Sequence, residues 1–418
     1  MKKIVVIGGG WSGAAAAVAA VKAGAQVTVI EKTDLLLGAG NVGGIFRNNG
    51  RFTAAEEMTA LGGGIFFQLM DGLALHRNIE FPGHEHASLY DVNRMETAVR
   101  QHLISLGIEL KFEHGVTEVD FHGHRINTVT LNSGELVSGD IFVETTGSSG
   151  PMGNCLRYGH GCAMCIQRCP SYGPRISVSG RCGVPDLVGI RADGTPGVFS
   201  GSCKIAKESL SGEVRAQLEN NGVVILKIPQ EDINYDKLNS KACKQYALKA
   251  FSENAILLDT GHAKLMTSYY PMEKLRRIPG LENARFIDPY AGGRGNSIRY
   301  LSIAPRSNAM QVDTMDNLFC GGEKSGPFIG HTEAIVTGTL AGHNAVRQVM
   351  GLKLLTLPDM LAVGDIISFA NSSFNEGSQF AERYTFAGGI FFERMKERGL
   401  YSTDPDEIKC RVEHAKLL

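Results

Sequence analysis

The chain has 418 residues, 43% of them hydrophobic, enough for two or three substructures and a large buried core. Lys plus Arg number 42 against 43 Asp plus Glu, a net charge of −1, which excludes a chain-wide basic footprint for nucleic acid. The 51 glycines fall in loops rather than in a repeat, which excludes fibrous and low-complexity classes.

In chain order, residues 2–13 read Lys-Lys-Ile-Val-Val-Ile-Gly-Gly-Gly-Trp-Ser-Gly, an apolar strand running into a glycine turn. Residues 14–21 supply an alanine-rich helix, and residues 26–30 a second strand that ends at Glu31. Strand, turn, helix, strand, acid is the order of a dinucleotide-binding unit. Gly8, Gly10 and Gly13 take the G-x-G-x-x-G positions, for the tight turn, the pyrophosphate approach and close helix–strand packing. Trp11, Ser12 and Lys32 flank these positions, and Glu31 stands where a carboxylate accepts hydrogen bonds from a ribose. The short apolar N-terminal stretch breaks at its glycines, so it reads as a strand rather than a signal peptide. The expected compartment is the cytoplasm, where nine cysteines point to metal or redox chemistry.

A second glycine-rich loop, residues 35–46 with Gly43 and Gly44, follows the acid as in FAD proteins. Residues 53–77 read as mostly helical with a break at residues 62–64, and residues 91–106 as a helix. Strands are expected at residues 108–112 and at 116–121, where Val116 is a cofactor candidate. A hairpin at residues 128–137 and a strand over residues 140–147 follow, the strand ending at Thr146 and Gly147 near the adenosine or pyrophosphate. The nucleotide pattern resumes at residues 312–323, with Gly322 and Glu323. The turn Gly330-His331-Thr332 then opens a helix whose positive end suits a flavin ring. The expected fold is α/β, a two-dinucleotide-binding-type Rossmann FAD domain over residues 1–150 and 306–350. An inserted α+β domain spans residues 151–305, with a helix at 209–220, a strand at 223–228 and a helix at 235–254. A small helical tail follows at residues 351–418.

Cys155, Cys162, Cys165 and Cys169 stand at spacing C-x6-C-x2-C-x3-C-P inside the insertion. The ending matches the bacterial ferredoxin run and suits a 4Fe–4S cluster. Four thiolates at loop spacing also suit zinc, and free thiols or a dithiol switch remain open. Cys182 could replace Cys155 or Cys169 as a ligand, and Cys320 is either a thiol near the flavin or a small buried hydrophobe. Lys274, Arg276, Arg277, Arg294, Arg299 and Arg306 form either an anion site or solvated faces.

Residues 318–345, beginning Leu-Phe-Cys-Gly-Gly-Glu-Lys-Ser-Gly-Pro-Phe-Ile-Gly-His-Thr-Glu-Ala, and the aromatic-glycine stretch 380–394 are similar to motifs of one group. The chain resembles FAD-dependent oxidoreductases of the glucose-inhibited-division type, most of all the folate/FAD-dependent tRNA uracil methyltransferases. That resemblance implies FAD and the fold. It departs at the catalytic cysteine of the first flavin loop, because the first cysteine here is Cys155. The cysteine cluster is also foreign to the tRNA-modifying pattern. The expected function is a flavin oxidoreductase with an iron–sulfur relay, acting on a small-molecule substrate or a protein electron-transfer partner. Folate-dependent tRNA modification and a non-catalytic accessory flavoprotein are the alternatives.

Overall fold

The computed structural model describes residues 2–147, 171–189, 198–199, 202–239, 244–267, 270–287, 298–299, 301–375 and 382–415. Its organising element is a five-stranded parallel sheet in the order Leu318–Cys320, Ile141–Glu144, β1 (Lys3–Ile7), β2 (Gln26–Ile30), Glu109–Lys111. The register pairs Val5 with Phe142 and with Thr28. Both faces are covered, so β1 reads as an unbroken apolar run, and its side chains divide by the two-residue strand period. Ile4 and Val6 join the helical core, while Val5 and Ile7 face an antiparallel three-stranded sheet, Val116–His122, Arg125–Leu131 and Leu136–Ser138.

Helix α1 (Trp11–Lys22) and the 19-residue helix His331–Val349 pack side by side on one face. Small residues let them approach closely. A Cβ on Gly338 would lie 2.1 Å from the Ser12 carbonyl oxygen, and one on Gly342 would lie 2.1 Å from that of Ala16. Helix α2 (Gly50–Ala60) and the C-terminal helices Ala362–Asn375, Gly389–Glu397 and Pro405–His414 complete this core through Met58, Ile366, Phe391 and Val412. The expected tail helices are therefore present and share the main core. Buried Glu57 accepts hydrogen bonds from the Ala362 and Val363 amides, both at 3.0 Å, at the start of the first of them.

Two further antiparallel sheets stand beside the nucleotide-type unit. One joins Ile45–Phe46, His84–Tyr90 and Ala74–Phe81; the other orders Cys203–Ile205, Ala263–Leu265, Asn254–Asp259 and Val223–Lys227. They meet through Phe81 and Leu89 on one side and Ile256, Leu258 and Met266 on the other. Two expectations change. The helical stretch 53–77 ends at Gly72, and Ala74–Phe81 is a strand whose alternation is broken by shifts in its pairing register. Among the described residues of the helix expected over 235–254, only the short helical segments Asp236–Asn239, Lys244–Tyr246 and Ala250–Glu253 form, and the chain leaves helix at residues 247–249. Tyr246 and Phe251 pack into the same cluster, their rings 5.7 Å apart, and five residues of helix would point them to different faces.

Candidate functional site

The C-terminal edge of the parallel sheet gathers the glycine turn, the acid and the two long helix starts. At Gly8, with φ +104°, a Cβ would meet the Thr145 carbonyl oxygen at 2.5 Å, and on Gly13 it would lie 1.9 Å from the Gly8 oxygen. At Gly10, the N-cap of α1, it would meet nothing within 4 Å. The first two glycines are thus fixed by packing, and the third leaves room for a phosphate beside free N–H groups. Thr145 Oγ1 ties the turn down by donating to the Gly8 carbonyl at 2.7 Å.

Glu31 is buried and already organises its surroundings. One carboxylate oxygen accepts from the Gly9 amide at 2.8 Å, and the other from the Thr33 amide and hydroxyl, both at 2.9 Å. A carboxylate offers about four lone-pair sites, so it can still accept a ribose hydroxyl. Lys32 reaches across to donate to the Gly173 carbonyl at 2.8 Å. Val116, at the head of its strand, is buried in the apolar cluster under the sheet.

The second glycine loop lies over three aromatic rings. Trp11 and Tyr90 flank His331, each with its centroid 5.8 Å from the imidazole. A Cβ on Gly40 would lie 2.4 Å from Trp11 Nε1, and one on Gly43 would lie 2.8 Å from the Tyr90 hydroxyl. From the neighbouring antiparallel sheet, Lys264 donates to the carbonyls of Val42 and Gly43, the latter at 2.7 Å, and Lys204 donates to that of Asn41 at 3.2 Å. Gly44, at φ +97°, fits against Thr260.

Trp11 Nε1, Ser12 Oγ, Tyr90 OH, His331 Nε2 and Thr332 Oγ1 are buried without a hydrogen-bond partner. Buried polar groups are almost always satisfied, so this concentration at two helix starts marks a place built for a polar ligand. Burial, then the charges of Arg51 and Lys264, hold the His331 imidazole neutral, far below its ordinary pKa. Burial also pushes the Tyr90 phenol up, so it remains a donor. These residues fit FAD. Gly10 and Glu31 match its pyrophosphate and ribose, and the unpartnered ring atoms match the edge of a flavin.

Gly330, at φ +126°, ends against a buried ion pair: Arg51 Nε donates to Glu333 Oε1 at 3.2 Å, and that oxygen also accepts from Thr385 and the Phe386 amide. Gly322, at φ +68°, donates its amide to Thr337 Oγ1 at 2.8 Å, and Glu323 is half-buried beside it. Behind the returning strand a second charged centre forms. Glu144 accepts from the Val178 and Ser179 amides, both at 2.8 Å. Lys324 is fully buried, with its ammonium 3.5 Å from Glu144 and bonded to Asp186 and Ser177. Burial opposes ionisation of Asp186, but Lys324 and Arg175 hold its carboxyl below the usual range. Thr146 is tied in by Arg175 Nη1 at 3.1 Å, and Gly147, at φ +68°, follows it.

Cys155, Cys162, Cys165 and Cys169 lie outside the described residues. Cys182 sits in the apolar cluster under the sheet, its thiol pushed up to about 12 by burial and then by Glu144. Cys320 is fully buried and pushed up to about 12 by burial, so it is a small hydrophobe rather than a nucleophile. No group of three or more His, Cys, Asp or Glu among the described residues could hold a metal. Of the basic residues, Arg294 lies outside the described residues, and the described lysine and arginine side chains are each engaged locally. Lys274 and Arg277 pair with Asp232, and Arg306 is buried on the carbonyls of Ser325 and Ile367. No helix among the described residues is long and apolar enough to cross a membrane.

Tyr90, Arg51, Lys204 and Lys264 escaped the sequence reading, and Glu333 entered it only as part of the motif at residues 318–345. Only the aromatic at the end of an alternating strand offered a local signal, at Tyr90.

The family profile described as glucose inhibited division protein A matches residues 3–246 and 244–353. The chain is 38% identical over 96 residues to the tRNA uridine 5-carboxymethylaminomethyl modification enzyme MnmG of Chlorobaculum tepidum, covering 22% of this chain and 14% of that protein. It is 36% identical over 98 residues to the methylenetetrahydrofolate–tRNA-(uracil-5-)-methyltransferase TrmFO of Synechocystis sp., covering 23% of this chain and 21% of that protein. The chain thus matches less than a quarter of the length of either relative. The Aquifex aeolicus GidA structure superposes over 100% of this chain and 74% of its own, with TM-score 0.70 and 17% identity. CtdE in complex with FAD superposes over the whole of both chains, with TM-score 0.50 and 13% identity.

Proposed function

The chain belongs to the glucose inhibited division protein A family, and from that premise we propose that it is an FAD-dependent oxidoreductase with its flavin at the start of the helix His331–Val349. The observation that carries this reading is the set of unpartnered buried polar atoms on Trp11, Ser12, Tyr90, His331 and Thr332. FAD would supply two-electron exchange on one side and single-electron exchange on the other. The chain's own residues do the rest. The helix N-terminus favours negative charge at the ring, neutral His331 and Tyr90 offer hydrogen bonds, and Glu31 orients the ribose.

In this reading residues 1–150 and 306–350 form the cofactor unit, 151–305 an insertion and 351–418 a tail. Cys155, Cys162, Cys165 and Cys169 would hold a 4Fe–4S cluster that relays single electrons, with zinc as the alternative. Support comes from where the segment starts and returns: Thr146 and Arg175, on either side of it, are bonded to each other at the cofactor edge of the sheet. The test is anaerobic purification with flavin, iron, sulfide and zinc counts. Absence of flavin would overturn the main reading, and stoichiometric zinc without iron would overturn the relay.

The names of the relatives favour a second reading, methylation or other modification of a tRNA uridine with a folate as one-carbon donor. It predicts salt-sensitive tRNA binding. Residues 1–147 contain no cysteine, which counts against a thiol nucleophile on the first flavin loop. Binding insensitive to salt, or none, would reject it.

A further inference from the structure

Along the C-terminal half of α1 lies a cavity of about 280 Å³ that shares no lining residue with the cofactor site. Its walls come from separate elements: Ala15 and Ala19 on α1, Met58 on α2, Phe66 on the next helix, Leu340 on His331–Val349, and Leu355 beyond it. These side chains are small or aliphatic on the α1 side and bulky opposite, which leaves a slot rather than a flat face.

The polar residues of the slot are Lys22, Thr339 and His343, and Lys22 is the cation among them, since burial and then the Arg347 charge hold the His343 pKa below its ordinary value. Lys22 lines it from an exposed position, with its ammonium 3.5 Å from the Gly62 carbonyl, and His343 lines it from the long helix. Just behind Phe66, His102 stands edge-on to that ring at 6.5 Å, its Nε2 buried without a partner. Among the described residues, no Asp or Glu lines the cavity. The apolar walls favour an aliphatic chain, whose burial stabilises in proportion to area, and the Lys22 ammonium at the mouth favours an anionic end.

We propose that this cavity binds a free medium-chain carboxylate, with the alkyl chain in the slot and the carboxylate beside Lys22. The site is independent of the flavin reading and does not require it. The test is titration of the purified protein with hexanoate, octanoate and decanoate, by calorimetry and by displacement of anilinonaphthalene sulfonate. Binding is expected to be saturable at one site, with Kd falling about fourfold per added methylene. Ala19→Phe, a half-buried position on the wall, should remove binding. Lys22→Glu, on the exposed mouth, should weaken it several-fold and reverse its salt dependence, so that added salt strengthens binding. Bound flavin and melting temperature should stay at the parent values in both. Binding without chain-length dependence, binding that survives Ala19→Phe, or association with anionic vesicles but not with free decanoate would each overturn the proposal.

Discussion

Gly338→Ala tests whether the two long helices must touch. Alanine is favoured over glycine in a helix interior by about 1 kcal/mol, so propensity alone predicts a gain. The geometry predicts the reverse. The new Cβ would lie 2.1 Å from the Ser12 carbonyl oxygen, where ordinary contact begins at 3.4 Å, so the helices must part by 1.3 Å (3.4 − 2.1). Overpacking of this kind costs about 1–3 kcal/mol, and it displaces both helix starts from the cofactor site at once. Gly212→Ala is the control, because Gly212 opens the helix Gly212–Asn221 and a Cβ there meets nothing within 4 Å. Thermal unfolding and equilibrium FAD binding are the assays. Gly212→Ala should raise the melting temperature without touching FAD affinity, while Gly338→Ala should lower both. If Gly338→Ala melts at or above the parent temperature, close packing of α1 on His331–Val349 is not what requires glycine there.

Glu31→Ala frees the Gly9 and Thr33 amides that now donate to it and should weaken FAD binding by roughly 1.5–3 kcal/mol, about 10- to 150-fold in Kd by equilibrium dialysis. An unchanged Kd would show that the acid does not reach the cofactor. Among the described cysteines, exposed Cys410 should alkylate quickly in the native protein, while Cys182 and Cys320, pushed up to about 12, should stay unmodified at pH 8 until unfolding. Mass mapping of iodoacetamide adducts decides. Burial and then the Arg51 charge push His84 down to about 3, so between about pH 6.5 and 3 the unfolded chain binds its proton and the folded chain does not. His84 should therefore lower stability by about 1.4 kcal/mol per pH unit as pH falls through that window, and His84→Gln should flatten the acid limb of the denaturation profile.

The nucleotide-binding half was legible because its signals are local. Gly8, Gly10, Gly13 and Glu31 sit within one strand–helix–strand unit, where Gly13 packs on the Gly8 carbonyl and Glu31 accepts from the Gly9 amide. The return at Gly322 and the helix beginning at His331 were legible for the same reason. The floor of the site was not. Arg51 and Glu333 meet across 282 positions, and nothing near either residue announces the other. Tyr90 becomes part of the site only because the sheet carrying it brings it against His331. The helix expected at 235–254 failed through a tertiary demand, since Tyr246 and Phe251 are both drawn to the cluster around Phe81.

Lys204 and Lys264 face each other across one antiparallel ladder, and both grip carbonyl oxygens of the loop at Asn41, Val42 and Gly43. That grip makes the loop a shared part of two bodies. Any ligand that shifts the loop over Trp11, Tyr90 and His331 changes the energy of the lysine contacts, and thermodynamic linkage makes the effect equal in the other direction. Whatever loads or strains the lysine-bearing sheet must alter affinity at the glycine loop by the same factor. Occupancy of the nucleotide half and the posture of its neighbouring sheet are therefore one equilibrium, read from two ends.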